Sequence, residues 1–289
     1  MNSLSQLARE YLVAVQFFTR LPVTGRLASW VGHSPELLRA SAAHFPGIGV
    51  LVGAVAAAVY ALLLAMLPDA AFAPLVAAAL STVATVLLTG GFHEDGLADV
   101  ADGLGGSHER ERALEIMKDS RMGAFGAMAL VLALLCKLSL LALLASSEAG
   151  LVRPEGTDAG LLAPALFKGW LVCTALWTGH VVSRGLPLLL IRWLPHAGDA
   201  ASSKSKRLAD QISLGRLLVA FAWCFMVLAL VSTALPAANL IVACSFAVLA
   251  LLWMARLFSR RLQGFTGDCL GATQQVCEIA FYLGLAVSL

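Results

Sequence analysis

Runs of roughly 20 mostly apolar residues, the length a helix needs to cross a bilayer, recur along the whole of this 289-residue chain. Seven segments qualify: 48–67, 72–88, 124–145, 161–182, 217–235, 237–257 and 272–289. A mean hydropathy of +0.83 agrees, because it lies in the range of polytopic membrane proteins and not of soluble domains. The expected fold is all-α: a polytopic integral membrane helical bundle of about seven transmembrane helices plus amphipathic interfacial helices, in one domain over 1–289. The last segment is the weakest, since Gln274, Gln275 and Glu278 fall in its first two turns and call for a polar cavity. Segments 4–18 and 183–195 are amphipathic or too short to span, and read as interfacial helices, the second anchored by Arg184, Arg192 and Trp193. No cleavable signal peptide is expected, because Arg9 and Glu10 interrupt the first apolar stretch.

Loop charge sets the expected orientation. Arg9, Arg20, Arg26 and Arg39 precede the first span, and the next loop carries no Lys or Arg. Arg110, Arg112, Lys118 and Arg121 follow in the third loop, then Arg153 alone in the fourth. Arg184, Arg192, Lys204, Lys206, Arg207 and Arg216 fill the fifth, none lies in the sixth, and Arg260 and Arg261 lie in the seventh. Rich and poor loops alternate throughout, which places the N-terminus and loops 89–122, 183–216 and 258–271 on the cytoplasmic side of the membrane. A net charge of only +2 leaves no nucleic-acid footprint. The six cysteines show no disulfide framework and no metal-ligand spacing.

Against this apolar background, where only 13% of residues are charged, Glu94, Asp95, Asp99 and Asp102 crowd into nine positions after His93. In a helix Asp95, Asp99 and Asp102 share one face. Their mutual repulsion becomes favourable under a divalent cation, and hard oxygen ligands suit Mg²⁺ carrying a phosphorylated substrate. A solvated acidic loop is the alternative, since the flanking glycines permit it. Asp119 lies before Ser120, Gly123 and the next apolar run, where it is able to join the same site, whereas Glu109, Glu111 and Glu115 read as salt-bridge decoration of a surface helix. A second block, Gly264 to Gly271, brackets Asp268 with glycines that allow a phosphate to approach closely; a capped helix entry is its plainer reading. His44, Pro46, Gly47 and Gly49 read as a helix start, and His180, Ser183 and Arg184 as either a phosphate contact or an interfacial anchor. Lys137 and Lys168 lie inside apolar runs; the first is a functional candidate, and the second is close enough to a helix end to snorkel.

Three blocks in order carry a resemblance: His93-x-Asp95-Gly-Leu-Ala-Asp99-x-x-Asp102-Gly, Leu114-Glu-Ile-Met-Lys-Asp119-Ser-Arg-x-Gly123 and Thr266-Gly-Asp268-x-Leu-Gly-Ala272. With Phe17-Phe-Thr-Arg20-Leu-Pro22 and Phe45-Pro46-x-x-Gly49, the chain resembles the cobalamin synthase family, the adenosylcobinamide-GDP ribazoletransferases, over residues 17 to 278. Where that family often carries Glu, this chain has Gln275, while Glu278 remains. The resemblance implies attack by a ribose hydroxyl of alpha-ribazole, or of its 5′-phosphate, on the diphosphate of adenosylcobinamide-GDP, with loss of GMP and a need for Mg²⁺. It further suggests Asp95, Asp99, Asp102, Asp119 and Asp268 as metal ligands and His93, Asp95 and Asp119 as catalytic residues. Lys118, Arg121, Arg184, Gly267 and Gly271 are the expected substrate contacts. His93 is the first choice for general base, because an unperturbed imidazole titrates near working pH. The expected partners are those two substrates and the lipid bilayer, with a homo-oligomer left open.

Rival readings make different demands. CDP-alcohol phosphotransferases put Ala-Arg after Asp-Gly, and neither Asp95-Gly96 nor Asp102-Gly103 is followed by it. Intramembrane prenyltransferases need two aspartate-rich motifs, and the second block here has one aspartate. A cation transporter needs acids at mid-bilayer on facing helices.

Overall fold

The computed structural model describes residues 3–32, 34–150, 168–197 and 212–289, and the described residues contain helices and no strand beyond an isolated bridge between His196 and Phe265. The chain enters through α1 (Ser3–Phe18), α2 (Gly25–Val31) and α3 (Pro35–Ser41). Ser34 caps α3, its hydroxyl accepting from Leu37 N at 3.1 Å, with Pro35 beside it at the first turn. A 3-10 turn, Ala42–His44, runs straight into α4 (Phe45–Met66), so that Pro35–Met66 forms one span.

α5 (Ala73–Thr89) and α6 (Phe92–Gly106) are bent against each other by 90°. The elbow is Gly90–Gly91, with φ of 76° and 71°, a left-handed pair that side chains other than glycine rarely adopt. After α7 (Arg110–Ile116) come α8 (Ala124–Gly150), α9 (Trp170–Gly185), α10 (Leu188–Trp193), α11 (Leu214–Val231), α12 (Ala237–Arg261) and α13 (Gly267–Ser288).

Among the described residues five helices are long and apolar enough to cross a membrane, or six if the bent pair α5–α6 counts as one. The chain is therefore a multi-pass membrane helical bundle. Two expectations differ in detail. The second apolar run does not simply end at a loop but turns through the glycine elbow into the acidic helix α6. The start of the fourth run, 161–167, lies outside the described residues, as do Arg153, Lys204, Lys206 and Arg207, and α9 carries the rest of that run. The last run is a complete 22-residue helix, because Gln274, Gln275 and Glu278 are buried inside the bundle instead of meeting lipid.

Large apolar side chains stand exposed along α8 (Val131, Leu132, Leu135), α11 (Leu218, Phe225) and α12 (Ile241, Leu249, Trp253). On a water-soluble protein such a belt would drive aggregation; in a bilayer it is the lipid face. Inside, the most extensive packing is between α4 and α9 and between α12 and α13, followed by that of α13 on α6. Small residues let these backbones approach, as is usual where lipid supplies no hydrophobic drive between helices.

The loops that the sequence assigns to one compartment meet at one end of the bundle. Arg110 Nε donates to the Leu262 carbonyl at 2.7 Å, and its Nη2 donates to that of Ala197 at 3.4 Å. Arg261 donates to the Leu104 and Ser107 carbonyls at 3.0 and 2.8 Å. Lys168, by contrast, pairs with Asp69 in the α4–α5 loop, as snorkelling requires.

Candidate active site

The acidic run is helical, and its face is turned towards the N-terminus of α13. The contact is tight at Gly96, where a Cβ would lie 2.8 Å from the Asp268 carbonyl oxygen, so the position has no room for a side chain. Asp99 lies within Coulombic reach of Asp268, Asp95 and Asp102. Two helices thus bring three carboxylates, Asp95, Asp99 and Asp268, to one partly exposed mouth. Thr266 caps α13, accepting from Cys269 N at 3.4 Å and donating to Asp268 Oδ2 at 3.2 Å.

Asp102 has a different task. Its Oδ2 accepts from Gly123 N at 2.7 Å and its Oδ1 from Gly126 N at 2.8 Å, so both oxygens are spent on the first turn of α8. It is an N-terminal cap supplied from a neighbouring helix. Glu148 serves α9 in the same way, accepting from Gly169 N and Leu171 N at 2.7 and 3.0 Å. Asp119 is not brought to the acidic face either. It sits partly exposed in the α7–α8 loop, where the Arg121 guanidinium donates to it at 2.6 to 3.1 Å and the Arg121 amide at 3.1 Å. These bonds hold its carboxyl down to about 2. Arg121 is correspondingly committed, and Lys118 is exposed beside it. Glu111 and Glu115 pair with Arg110 and Arg112 at 3.2 and 2.9 Å, as surface decoration.

Beneath the mouth lies a polar interior that the spacing of the acids did not announce. Arg184 is not an interfacial anchor: it is only 2% exposed, the largest fully buried side chain among the described residues. Its Nη1 donates to the His180 carbonyl at 3.0 Å and lies 3.0 Å from His180 Nδ1. Its guanidinium carbon stands 5.8 Å from the centroid of the Phe45 ring, and the same ring stacks on His93 at 5.6 Å. Glu278 is a hub, contacting Lys137 Nζ at 2.7 Å, His180 Nδ1 at 3.2 Å, Gln274 Nε2 at 2.6 Å and the Tyr282 hydroxyl at 3.1 Å. Gln275, at the position where Glu is common in the resembling family, bonds Glu94 and Gln274, both at 3.0 Å.

Five buried polar atoms around this interior have no partner: both ring nitrogens of His93, Glu94 Oε2, His180 Nε2 and Arg184 Nε. Unsatisfied groups in such numbers are rare in folded interiors and call for a physical reason. They offer donors and acceptors together, as an anion carrying a hydroxyl group needs. Gly271 packs against the His93 backbone, where a Cβ would lie 3.2 Å from the His93 Cα, and Gly267 opens α13.

For a divalent ion the donor set is one of hard carboxylate oxygens. Among the described residues no three His, Cys, Asp or Glu side chains form a ready-made cage. Mg²⁺ rarely uses one; it retains waters and takes one or two carboxylates together with substrate phosphates. The partly exposed Asp95, Asp99 and Asp268 match that mode of binding.

The family described as Cobalamin-5-phosphate synthase matches residues 10–286 of the chain. An adenosylcobinamide-GDP ribazoletransferase of Polaromonas naphthalenivorans is 74% identical, the alignment covering 98% of this chain and 99% of the relative. One from another Polaromonas strain is 72% identical over the full length of both, and one from Leptothrix cholodnii is 45% identical over 98% and 97%. No solved structure matches the chain.

Proposed function

The chain belongs to the Cobalamin-5-phosphate synthase family, and from that premise we propose that it joins adenosylcobinamide-GDP to alpha-ribazole or its 5′-phosphate. The products are adenosylcobalamin, or its 5′-phosphate, and GMP. The enzyme is a transferase, and the step completes the nucleotide loop of the cofactor. The observation that carries the reading is the stacking of an acidic mouth, Asp95, Asp99 and Asp268, above a buried interior of unpartnered polar atoms around Arg184 and His93.

The chemistry needs three things of the protein. The diphosphate must be neutralised and held, the attacking hydroxyl must lose a proton, and GMP must leave in line. A Mg²⁺ ion at Asp95, Asp99 and Asp268, when bound, supplies charge neutralisation for the diphosphate. Arg184 offers a planar guanidinium with a free Nε–H to a phosphoryl oxygen. His93, with no hydrogen bond at either ring nitrogen, is positioned to take the hydroxyl proton as the new O–P bond forms and the P–O bond to GMP breaks. Phe45 fixes its ring plane by stacking at an interplanar angle of 11°. The mouth faces the cytoplasm of the cell through the inner membrane, in line with the loop charges.

The test is reconstitution. The purified protein in liposomes should release GMP from adenosylcobinamide-GDP only when an acceptor and Mg²⁺ are both present. Absence of GMP release with both acceptors and with Mg²⁺ would remove the assignment.

A further inference from the structure

Glu278 and Arg184 meet the same atom of His180. Arg184 Nη1 lies 3.0 Å from His180 Nδ1, and Glu278 Oε2 lies 3.2 Å from it. A guanidinium only donates and a carboxylate only accepts. One ring nitrogen therefore satisfies one of them at a time. When Nδ1 is bare it accepts from Arg184, and Glu278 loses His180. When Nδ1 carries the proton it donates to Glu278, and Arg184 keeps only the His180 carbonyl, at 3.0 Å. That second state releases the Nη1–H that faced Nδ1, while the Nε–H is unengaged in both. His180 Nε2 has no partner that would fix the tautomer from the other side.

We infer that Glu278 is a positioning residue: by drawing the proton of His180 to Nδ1 it frees an Nη1–H of Arg184 to join its Nε–H on the anionic diphosphate of the donor substrate. This rests on the reading of the site given above. Glu278 is fitted to the task because its charge is held in place. Lys137 neutralises it at 2.7 Å, while Gln274 and Tyr282 donate to the two oxygens. The other ionisable groups in reach of the imidazole are Arg184, His93 and Lys137, and none of them is an acceptor for an Nδ1 proton in this geometry. Gln274 also donates to Ser183, which ties the hub to the turn of α9 that carries Arg184. Lys137 makes its ion pair with Glu278 at 2.7 Å and acts on His180 only through its charge.

The two roles of Glu278, charge partner and tautomer selector, separate in one variant series. Lys137→Met should lower the yield of folded protein while the donor KM of the folded fraction stays within about twofold of wild type. Lys137→Met/Glu278→Gln removes both charges with little change of shape, so folding should recover. An amide both donates and accepts, so it no longer selects the tautomer. The donor KM should then rise roughly 10- to 100-fold, the worth of one charge-assisted hydrogen bond, with the acceptor KM unchanged. In ¹⁵N-histidine spectra the His180 resonance, identified by its loss in His180→Asn, should report a protonated Nδ1 in wild type and a mixed tautomer in the double variant. A double variant that folds and keeps the wild-type donor KM overturns the inference. Asp95→Asn in parallel separates the failures: full turnover there removes the site itself, whereas loss of turnover there with a normal double variant removes only the role of Glu278.

Discussion

Asp102 and Asp95 lie seven positions apart on one helix face, yet the geometry gives them opposite fates. Asp102 holds Gly123 N and Gly126 N at 2.7 and 2.8 Å. Its side chain is buried, and so is Gly126. Asp102→Ala removes both acceptors and strands two N–H groups at the start of α8. A helix cap is worth about 0.5–2 kcal/mol, and a buried donor left unmade costs about 1–3 kcal/mol. The two estimates overlap, since they describe the same bonds, and they set the loss at roughly 1–3 kcal/mol. Asp102→Asn keeps one acceptor and turns an amide donor towards the other N–H, so it should fall short of wild type by about half that amount. Asp95→Asn, at an exposed position, should leave stability within about 0.5 kcal/mol of wild type while GMP release is lost. The assay is unfolding in detergent followed by tryptophan fluorescence, with turnover measured on the same folded preparations. An Asp102→Ala protein as stable as wild type but inactive would refute the cap and return Asp102 to the reacting centre.

Gly96→Ala should push α6 off α13, because the new methyl meets backbone at 2.8 Å; overpacking of this kind costs about 1–3 kcal/mol, and the displacement of Asp95 and Asp99 should reduce turnover more than tenfold, read by thermal scan and GMP assay. Chelation should stop turnover, with recovery on adding Mg²⁺, and lower the unfolding temperature only slightly, because the ion would sit on partly exposed carboxylates at the mouth. The Asp119–Arg121 pair has a defined pH window. The folded-state pKa of about 2 lies below the usual 3.8, so its contribution is complete above the unfolded value and fades only as the pH falls towards 2. Turnover profiles between about pH 5 and 9 should therefore be the same for Asp119→Asn and wild type once scaled to equal activity.

Much of the arrangement was legible in the sequence, for a physical reason: a charge in an apolar run is costly, so each one marks a site, a partner or a surface. The acidic run, its shared helix face and its companion Asp268 were found this way. The gathering of the charged loops at one end followed from alternation of Arg and Lys, and the hydrogen bonds of Arg110 and Arg261 agree with it. What stayed hidden depends on partners far along the chain. Nothing near Asp102 signals that Gly123 and Gly126 will take both its oxygens. Arg184 next to a short amphipathic stretch has the pattern of an anchor, and only the folding of α4 and α13 around α9 encloses it. Glu278 and Lys137 are 141 positions apart, and their pairing at 2.7 Å is a property of packing. The signal that pointed to this interior was the run of polar residues in the last apolar segment, Gln274, Gln275 and Glu278, which is polar because it faces the hub. The elbow was written as Gly90-Gly91, but its 90° bend arises from left-handed backbone at both residues.

The central claim is that carboxylates from α6 and α13 together serve the diphosphate. It is tested most directly by GMP release from adenosylcobinamide-GDP, measured on equal amounts of folded Asp95→Asn, Asp99→Asn and Asp268→Asn protein in liposomes. The account predicts that each falls at least about 100-fold in kcat/KM, with Asp268→Asn as severe as the two from α6. Near-normal turnover of Asp268→Asn, with its carboxylate on the opposite helix, would contradict it.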